Sequence, residues 1–402
     1  MRPDAAEPAP DYDRLLEWIR LSRNDGHSAP RPTLLAEVLQ NRLDVCANPL
    51  GPPESALLAL VLYAVNCSAE LVPPPYERDR PPYTGHRMYL EAYARHLGAE
   101  ALADNMIAGQ GVSGFLVILS HLLRDKRTAV PTPEYTGTLE YFSYAHFVEP
   151  RKGVRDTAGY RLERIQSAMK ENEFVVFSNP NNPLGHYIDR ADLEEVCREN
   201  PDSTLIVDEE YIEFEGENLS LIGSDLENLV VLQSTGKSYG ITGTRAGIMW
   251  SRNREICQKA EERLAKKWPL SILDAVLATA ALNDESWLRE TMHRIDQNAR
   301  LLEEILVEYF GDDVAPGASI HYRFVWLDAT AGTPDRIARH MRAHGIEVRA
   351  FDGKLRGSQP GIRLRAPCND EEFSRLTRAL KSWRSQTAEG TPHQPRGEAR
   401  QW

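Results

Sequence analysis

From about residue 105 the chain alternates short apolar runs with longer stretches in which apolar residues recur every three or four positions. The short runs are Asn105–Ala108, Ala129–Thr132, Ala145–Val148, Phe174–Ser178, Leu205–Val207, Val230–Leu232 and Gly247–Ser251. Their length and β-branched content predict buried strands. The apolar stretch that follows Gly109–Gly114 through Leu123, and the periodic stretches Leu162–Lys170 and Arg190–Glu199, predict helices between them. Alternating strand and helix predict an α/β domain, a mostly parallel sheet covered by helices on both faces. Long helical patterns then occupy Ile256–Ala265 and Ile272–Phe310. After them the chain alternates again: strand Tyr322–Leu327, helix Pro334–His344, strands Ile346–Ala350 and Gly361–Leu364, helix Asp370–Trp383. This is the pattern of a smaller α+β domain.

Ahead of the alternating region, helices are predicted at Tyr12–Ser22, Thr33–Arg42, Glu54–Cys67 and Arg87–Leu97, with a rigid turn at Ala47–Pro53 that marks a boundary. The resulting organisation is an N-terminal arm over 1–47 belonging to the small domain, a large domain over 48–285, a C-terminal small domain over 286–384 and a polar, disordered tail over 385–402. Residues 1–12 are likewise expected to be disordered.

Composition narrows the function. With 402 residues, 42% apolar and 26% charged, the chain can bury substantial cores. A net charge of −12 without a basic stripe argues against nucleic-acid binding. The longest apolar run, Gly114–Leu119, is too short to cross a membrane. Met1–Asp11 is acidic and proline-rich without an apolar core, unlike a signal peptide. Cys46, Cys67, Cys197, Cys257 and Cys368 show no metal-binding spacing, so no metal site is expected and the thiols read as those of a reduced, cytoplasmic protein.

The candidate chemistry collects at the ends of predicted strands, where open α/β sheets place their ligands. Gln233–Arg245 holds Lys237 among glycines and hydroxylated residues, just after the apolar run Leu229–Leu232. A lysine in a closed pocket can lose its proton and attack an aldehyde, whereas a solvated turn has little use for one. Ser234 and Arg245 add a hydroxyl and a guanidinium suited to a phosphate dianion. Gly111-Val112-Ser113-Gly114 opens a helix and aims backbone amides at an anion, or is simply a tight strand–helix turn. In Asn179–Gly185 two prolines fix the backbone and leave an asparagine amide facing a pocket. Asp208 directly follows an apolar run, as a site carboxylate or as a cap; Tyr211 follows it as a site residue or as core.

With these motifs in this order, and with eight residues between Lys237 and Arg245, the chain resembles the class I/II aminotransferases of the fold-type-I pyridoxal-phosphate enzymes, histidinol-phosphate aminotransferases in particular. The resemblance runs from about Asn48 to Trp383. It implies a large domain that binds pyridoxal 5'-phosphate, with Lys237 forming the Schiff base and shuttling the proton. Asp208 would pair with the ring nitrogen, Asn182 and Tyr211 would bond the ring oxygen, and Tyr135 would stack on the ring. Gly111, Val112, Ser113, Ser234 and Arg245 would hold the phosphate. Tyr83 would reach the phosphate of a neighbouring subunit, which implies a homodimer with shared sites. Arg363 would clamp the substrate α-carboxylate, and Arg365, on the same strand face, would meet a second acidic group or bridge to the surface.

The chain also departs from the family pattern. Glu210 stands where the family usually has alanine, on the strand face of Asp208, either near the ring or turned to solvent; Gly236 replaces the usual serine or alanine. The Asp25-Gly26-His27 segment echoes pyridoxal-phosphate arginine oxidases, but His27 reads as a loop residue and His186 as structural. The expected activity is amino-group transfer between an L-amino acid and a 2-oxo acid. The alternative is another pyridoxal-phosphate reaction, such as oxidation, elimination, replacement or cyclisation. A catalytically dead module would have lost Lys237, Asp208 or Arg245, and all three are present.

Overall fold

The structure, a computed structural model, describes residues 41–66, 84–216, 218–267, 270–317, 320–328 and 333–389. The expectations for the N-terminal arm up to residue 40, for His27, Cys67 and Tyr83, and for the end of the tail lie outside these residues. Among the described residues, helices α1 (Glu54–Asn66) and α2 (Thr84–His96) precede the main sheet. The sheet-forming region then runs β1 (Met106–Gln110), α3 (Gly111–Leu122), β2 (Thr128–Pro131), α4 (Thr136–Tyr141), β3 (His146–Val148), α5 (Ala158–Glu171), β4 (Phe174–Ser178), α6 (Arg190–Glu199), β5 (Thr204–Asp208), β6 (Leu229–Ser234) and β7 (Ala246–Trp250). Three helices follow, α7 (Arg254–Lys267), α8 (Ile272–Leu282) and α9 (Glu285–Phe310). The chain closes with β8 (Tyr322–Trp326), α10 (Thr333–Ala343), β9 (Arg349–Phe351), β10 (Gly361–Arg365) and α11 (Asp370–Glu389).

The first sheet has seven strands in the order β1-β7-β6-β5-β4-β2-β3. β6, β5, β4, β2 and β3 pair in parallel, and β7 runs antiparallel to both of its neighbours. Strand alternation divides the apolar residues between two cores. Leu205, Val207, Leu229 and Val231 join the cluster on one face, and Ile206, Val230 and Leu232 the cluster on the other. On the second face α3 brings Phe115, Leu116 and Leu119, and α7 brings Ile256 and Leu264. Each such fully buried side chain contributes about 1.5–3 kcal/mol of transfer free energy.

The second sheet, β8-β10-β9, is antiparallel throughout. Val325, Ile362 and Leu364 pack there with Leu302 and Leu306 of α9, Ile337 and Met341 of α10 and Leu376 and Leu380 of α11.

Several boundaries differ from the sequence reading, and three of them bear on the architecture. The long pattern Ile272–Phe310 is two helices, because Asp284 turns out of the first and its Oδ1 accepts from the Trp287 backbone N–H at 3.1 Å, capping the second. The strand expected at Ile346–Ala350 begins only at Arg349, while Ile346 and Val348 are spent on the core. Helix α11 continues to Glu389, past the expected start of the tail. Among the described residues no helix is long and apolar enough to cross a membrane.

Candidate active site

The C-terminal ends of β2, β4, β5 and β6 open on one side of the large sheet, and the loops leaving them carry the predicted site residues. After β6 the chain makes a compact loop bearing Lys237. It is anchored by the turn at Asn48, whose backbone N–H donates to the Lys237 carbonyl at 2.8 Å and whose Nδ2 donates to the Ser238 carbonyl at 2.7 Å. Gly240 has φ +68°, and a Cβ there would lie 2.9 Å from the Asn48 carbonyl oxygen, so glycine is what lets the two turns touch. Opposite this loop, Gly111 begins α3 with φ +69°, and a Cβ on Gly247 of β7 would lie 2.6 Å from the Gly111 Cα. That close approach presses the N-terminus of α3 against β7 and turns its unpaired amides into the cleft.

One cleft brings together residues far apart in sequence. Gly111, Val112, Ser113, Ser234 and Arg245 line its floor, with Thr242 and Thr244 beside them. Tyr135, Asn182, Asp208, Tyr211 and Lys237 line the rest, and Glu210 and Gly236 complete it. Of the residues expected to hold a cofactor, only Tyr83 is missing from this wall, because it lies outside the described residues.

The carboxylates after β5 alternate as a strand dictates. Asp208 and Glu210 face the cleft. Glu209 faces away and accepts from Gln233 Nε2 at 2.7 Å, the Ser220 hydroxyl at 2.5 Å and the Leu221 backbone N–H at 2.9 Å. Burial raises its carboxyl to about 7. Asp208 Oδ1 accepts from the Glu210 backbone N–H at 3.0 Å. Burial, and then the nearby Glu210 charge, push the Asp208 carboxyl well above the usual carboxylate range. A cationic partner in the cleft would restore its charge.

A second cleft adjoins the first and shares Tyr135, Asn182, Tyr211 and Lys237 with it. Here Arg363 Nη1 donates to Asn182 Oδ1 at 2.6 Å, Nη2 donates to the Asp44 carbonyl at 3.1 Å, and the guanidinium lies over the Tyr322 ring at 5.4 Å. Its Nε is buried without a partner. Arg349 lines the same cleft, directly opposite Arg363 in the β9–β10 register. Sequence reasoning missed Arg349; the available signal was a cation between the apolar Val348 and Ala350. Cys46 also reaches this cleft, and burial raises its thiol.

Arg365 does not join either cleft. It stands opposite Tyr322 beyond the end of β9, where the start of α11 meets the strand. There its guanidinium makes a two-pronged pair with Glu372, Nη1 to Oε2 and Nη2 to Oε1, both at 3.2 Å. The expected contact with a second acidic substrate group is therefore corrected to an internal ion pair. His186 is also away from both clefts; burial and then Arg161 and Arg164 depress its imidazole to about 3, so it stays neutral.

A buried polar network behind the site was not legible in sequence either. Arg161 Nη2 donates to Glu134 Oε2 at 2.6 Å and its Nη1 to Asp156 at 3.1 Å, while Arg164 also pairs with Asp156. Glu134 in turn accepts from the Tyr135 backbone N–H at 2.8 Å and from Ser178, whose Oγ accepts from the Asn182 backbone N–H at 3.1 Å. The network thereby fixes the backbone at Tyr135 and Asn182, one on each side of the cleft.

Comparison with known proteins agrees with this geometry. The model of the family described as aminotransferase class I and II matches residues 78–380. Histidinol-phosphate aminotransferase 1 of Pseudomonas aeruginosa is 26% identical over 313 residues, 77% of this chain and 84% of that protein. The solved histidinol-phosphate aminotransferase of Clostridium acetobutylicum superposes with a TM-score of 0.71 at 18% identity, over 86% of this chain and 99% of that one. That of Sinorhizobium meliloti, solved in complex with pyridoxal-5'-phosphate, superposes at 0.67 with 20% identity, over 91% and 97%. The fold is the expected fold-type-I arrangement.

Proposed function

We propose, on the premise that the chain belongs to the aminotransferase class I and II family, that its two adjoining clefts hold pyridoxal 5'-phosphate and an anionic amine substrate around Lys237. The chain is a pyridoxal-phosphate-dependent transferase by family. The residues present suit that cofactor. The α3 amides, Ser113, Ser234 and Arg245 form a donor set for a phosphate dianion, Tyr135 offers an aromatic face, and Asp208 is a buried carboxyl in need of a cation. When bound, the cofactor supplies an aldehyde that condenses with amines and a ring that accepts the electron pair from the substrate Cα.

In this reading Lys237 Nζ would hold the cofactor's aldehyde and, once displaced by the substrate amine, would serve as the base that moves the proton at the substrate Cα. Asp208 would pair with the ring nitrogen and favour its protonated form. Asn182 and Tyr211 would donate to the ring oxygen and orient the ring. Arg363, already bonded to Asn182, binds the substrate carboxylate with its planar fork, so substrate and cofactor are aligned through one asparagine. Arg349 supports an additional anionic group on the substrate, a carboxylate or a phosphate ester, next to the first. A homodimer, with Tyr83 of one copy completing the phosphate site of the other, belongs to the same proposal, as does a cytoplasmic location.

The observation that carries the proposal is the convergence of Lys237, Asp208, Asn182 and Arg363 on two clefts that share a wall. The test is to treat the yellow holoprotein with borohydride and map the label, and to identify products with amino acids and 2-oxo acids by mass. The label is expected on the peptide containing Lys237, and amino-group exchange is expected to vanish in Lys237→Ala. A label on another lysine refutes the assignment.

A further inference from the structure

The two departures from the family pattern, Glu210 and Gly236, are neighbours in space. Glu210 Oε1 accepts from the Ser234 hydroxyl at 2.8 Å, and Ser234 Oγ accepts from the Gly236 backbone N–H at 3.0 Å. The carboxylate therefore uses a hydroxyl that, on the reading above, belongs to the phosphate. Its other oxygen, Oε2, is buried and has no hydrogen-bond partner. A Cβ at position 236 would lie 3.2 Å from Ser234 Oγ and 3.7 Å from Glu210 Oε1, so any longer side chain there would crowd this carboxylate. Glycine at 236 keeps the room that Glu210 occupies.

The charges facing Glu210 are few. Lys237 approaches from the loop after β6 and Arg245 from the start of β7, and Asp208 lies on its own strand. Tyr211, Tyr135 from the loop after β2, and Tyr89 and Tyr93 from α2 complete the surroundings. The tyrosines are neutral. A phosphate dianion placed in this cup takes Arg245 for itself, and Lys237 is engaged by the cofactor's aldehyde. Glu210 would then be an anion beside a dianion with both of its cations diverted, an arrangement that like-charge repulsion opposes.

Building on the cofactor reading, we propose that Glu210 couples phosphate binding to proton uptake: the cofactor's phosphate monoester dianion settles in its cup as the Glu210 carboxylate takes one proton from solvent. The neutral acid then has an O–H to donate to a phosphate oxygen. Burial already raises the Glu210 carboxyl in the free protein, against Lys237, Ser234 and Arg245, and the dianion raises it further. The sign follows. Below the free-protein value the acid is neutral in both states, and binding does not depend on its titration. Between the free and bound values binding takes up a proton, and affinity falls as pH rises.

The test titrates apoprotein with pyridoxal 5'-phosphate from about pH 6 to pH 9.5 in wild type, Glu210→Gln and Glu210→Ala, reading the dissociation constant from the cofactor's absorbance. The amide keeps an acceptor for Ser234 and cannot titrate; the alanine variant serves if the amide misfolds. The ratio of the wild-type constant to that of either variant is expected to climb by up to about tenfold per pH unit through the window. Calorimetry in buffers of different ionisation enthalpy is expected to show greater proton uptake by the wild type there. With pyridoxal, which lacks the phosphate, the ratio is expected to stay flat. Parallel curves for all three proteins, equal proton uptake, or the same slope with pyridoxal would overturn the coupling while leaving the cofactor site intact. Failure of every form to bind the cofactor at any pH would instead remove the underlying reading, and the coupling with it.

Discussion

Replacing Arg365 by methionine separates a structural from a substrate-binding role for this arginine. In the folded protein Arg365 is 0% exposed and Glu372 1% exposed. Removing the guanidinium deletes both bonds to Glu372 and the bond to the Ala366 carbonyl at 2.8 Å, and leaves a carboxylate buried. Breaking a buried pair from one side costs about 3–5 kcal/mol. Glu372 keeps the Asn41 backbone N–H at 2.6 Å and that of Cys368 at 2.8 Å, so the lower end, about 3 kcal/mol, is expected. Arg365→Met with Glu372→Gln removes the stranded charge and is expected to recover part of the loss, because a neutral pair has no ion to desolvate. Urea unfolding followed by tryptophan emission measures all of these.

Acidification provides an independent check on the sign. Burial raises the Glu372 carboxyl, but the Arg365 charge and hydrogen bonds outweigh it and hold the group below its ordinary value. The pairing therefore stabilises the fold above the unfolded carboxylate value, about 4.3, and is lost as pH falls through the folded one. In Arg365→Met burial acts alone, so the penalty is greatest near neutral pH. The stability gap between wild type and variant is expected to narrow toward pH 4. A gap under about 1 kcal/mol at neutral pH, joined to a selective loss of kcat/KM on acidic substrates, would refute the internal role.

Two further predictions concern the clefts. Asp208→Asn keeps the shape but removes the anion opposite the ring nitrogen; turnover is expected to fall by orders of magnitude while the dissociation constant for the cofactor moves far less, as steady-state rates and absorbance titrations would show. Arg363→Lys is expected to weaken every substrate by about 1.5–3 kcal/mol in kcat/KM, whereas Arg349→Ala should penalise only substrates with a second anionic group; equal effects of Arg349→Ala on neutral and acidic amino acids would remove it from substrate recognition.

The apolar runs determined the strands of the large sheet by themselves, because a strand buried on both faces leaves an uninterrupted β-branched signature in its own residues. Phe174–Ser178 and Arg190–Glu199 match the observed β4 and α6 end to end. The glycines around Lys237 and the Asp208 position after an apolar run were equally local, and they marked residues that line the first cleft. What sequence could not supply was the neighbour of each strand. That β7 runs antiparallel between β1 and β6 is set by pairing between segments far apart in the chain. The same limit explains the two arginines that changed places. Period-two alternation put Arg363 and Arg365 on one face, but the short β9 ends level with Arg363, so Arg349 stands beside Arg363 while Arg365 runs on to meet Glu372. Glu210 shows the same limit: the sequence left it either near the site or turned to solvent, and the company of Ser234, Lys237 and Arg245 came from the tertiary fold, which folds the loop after β6 over the end of β5. A residue's face is decided by its own strand; its partner is decided by register.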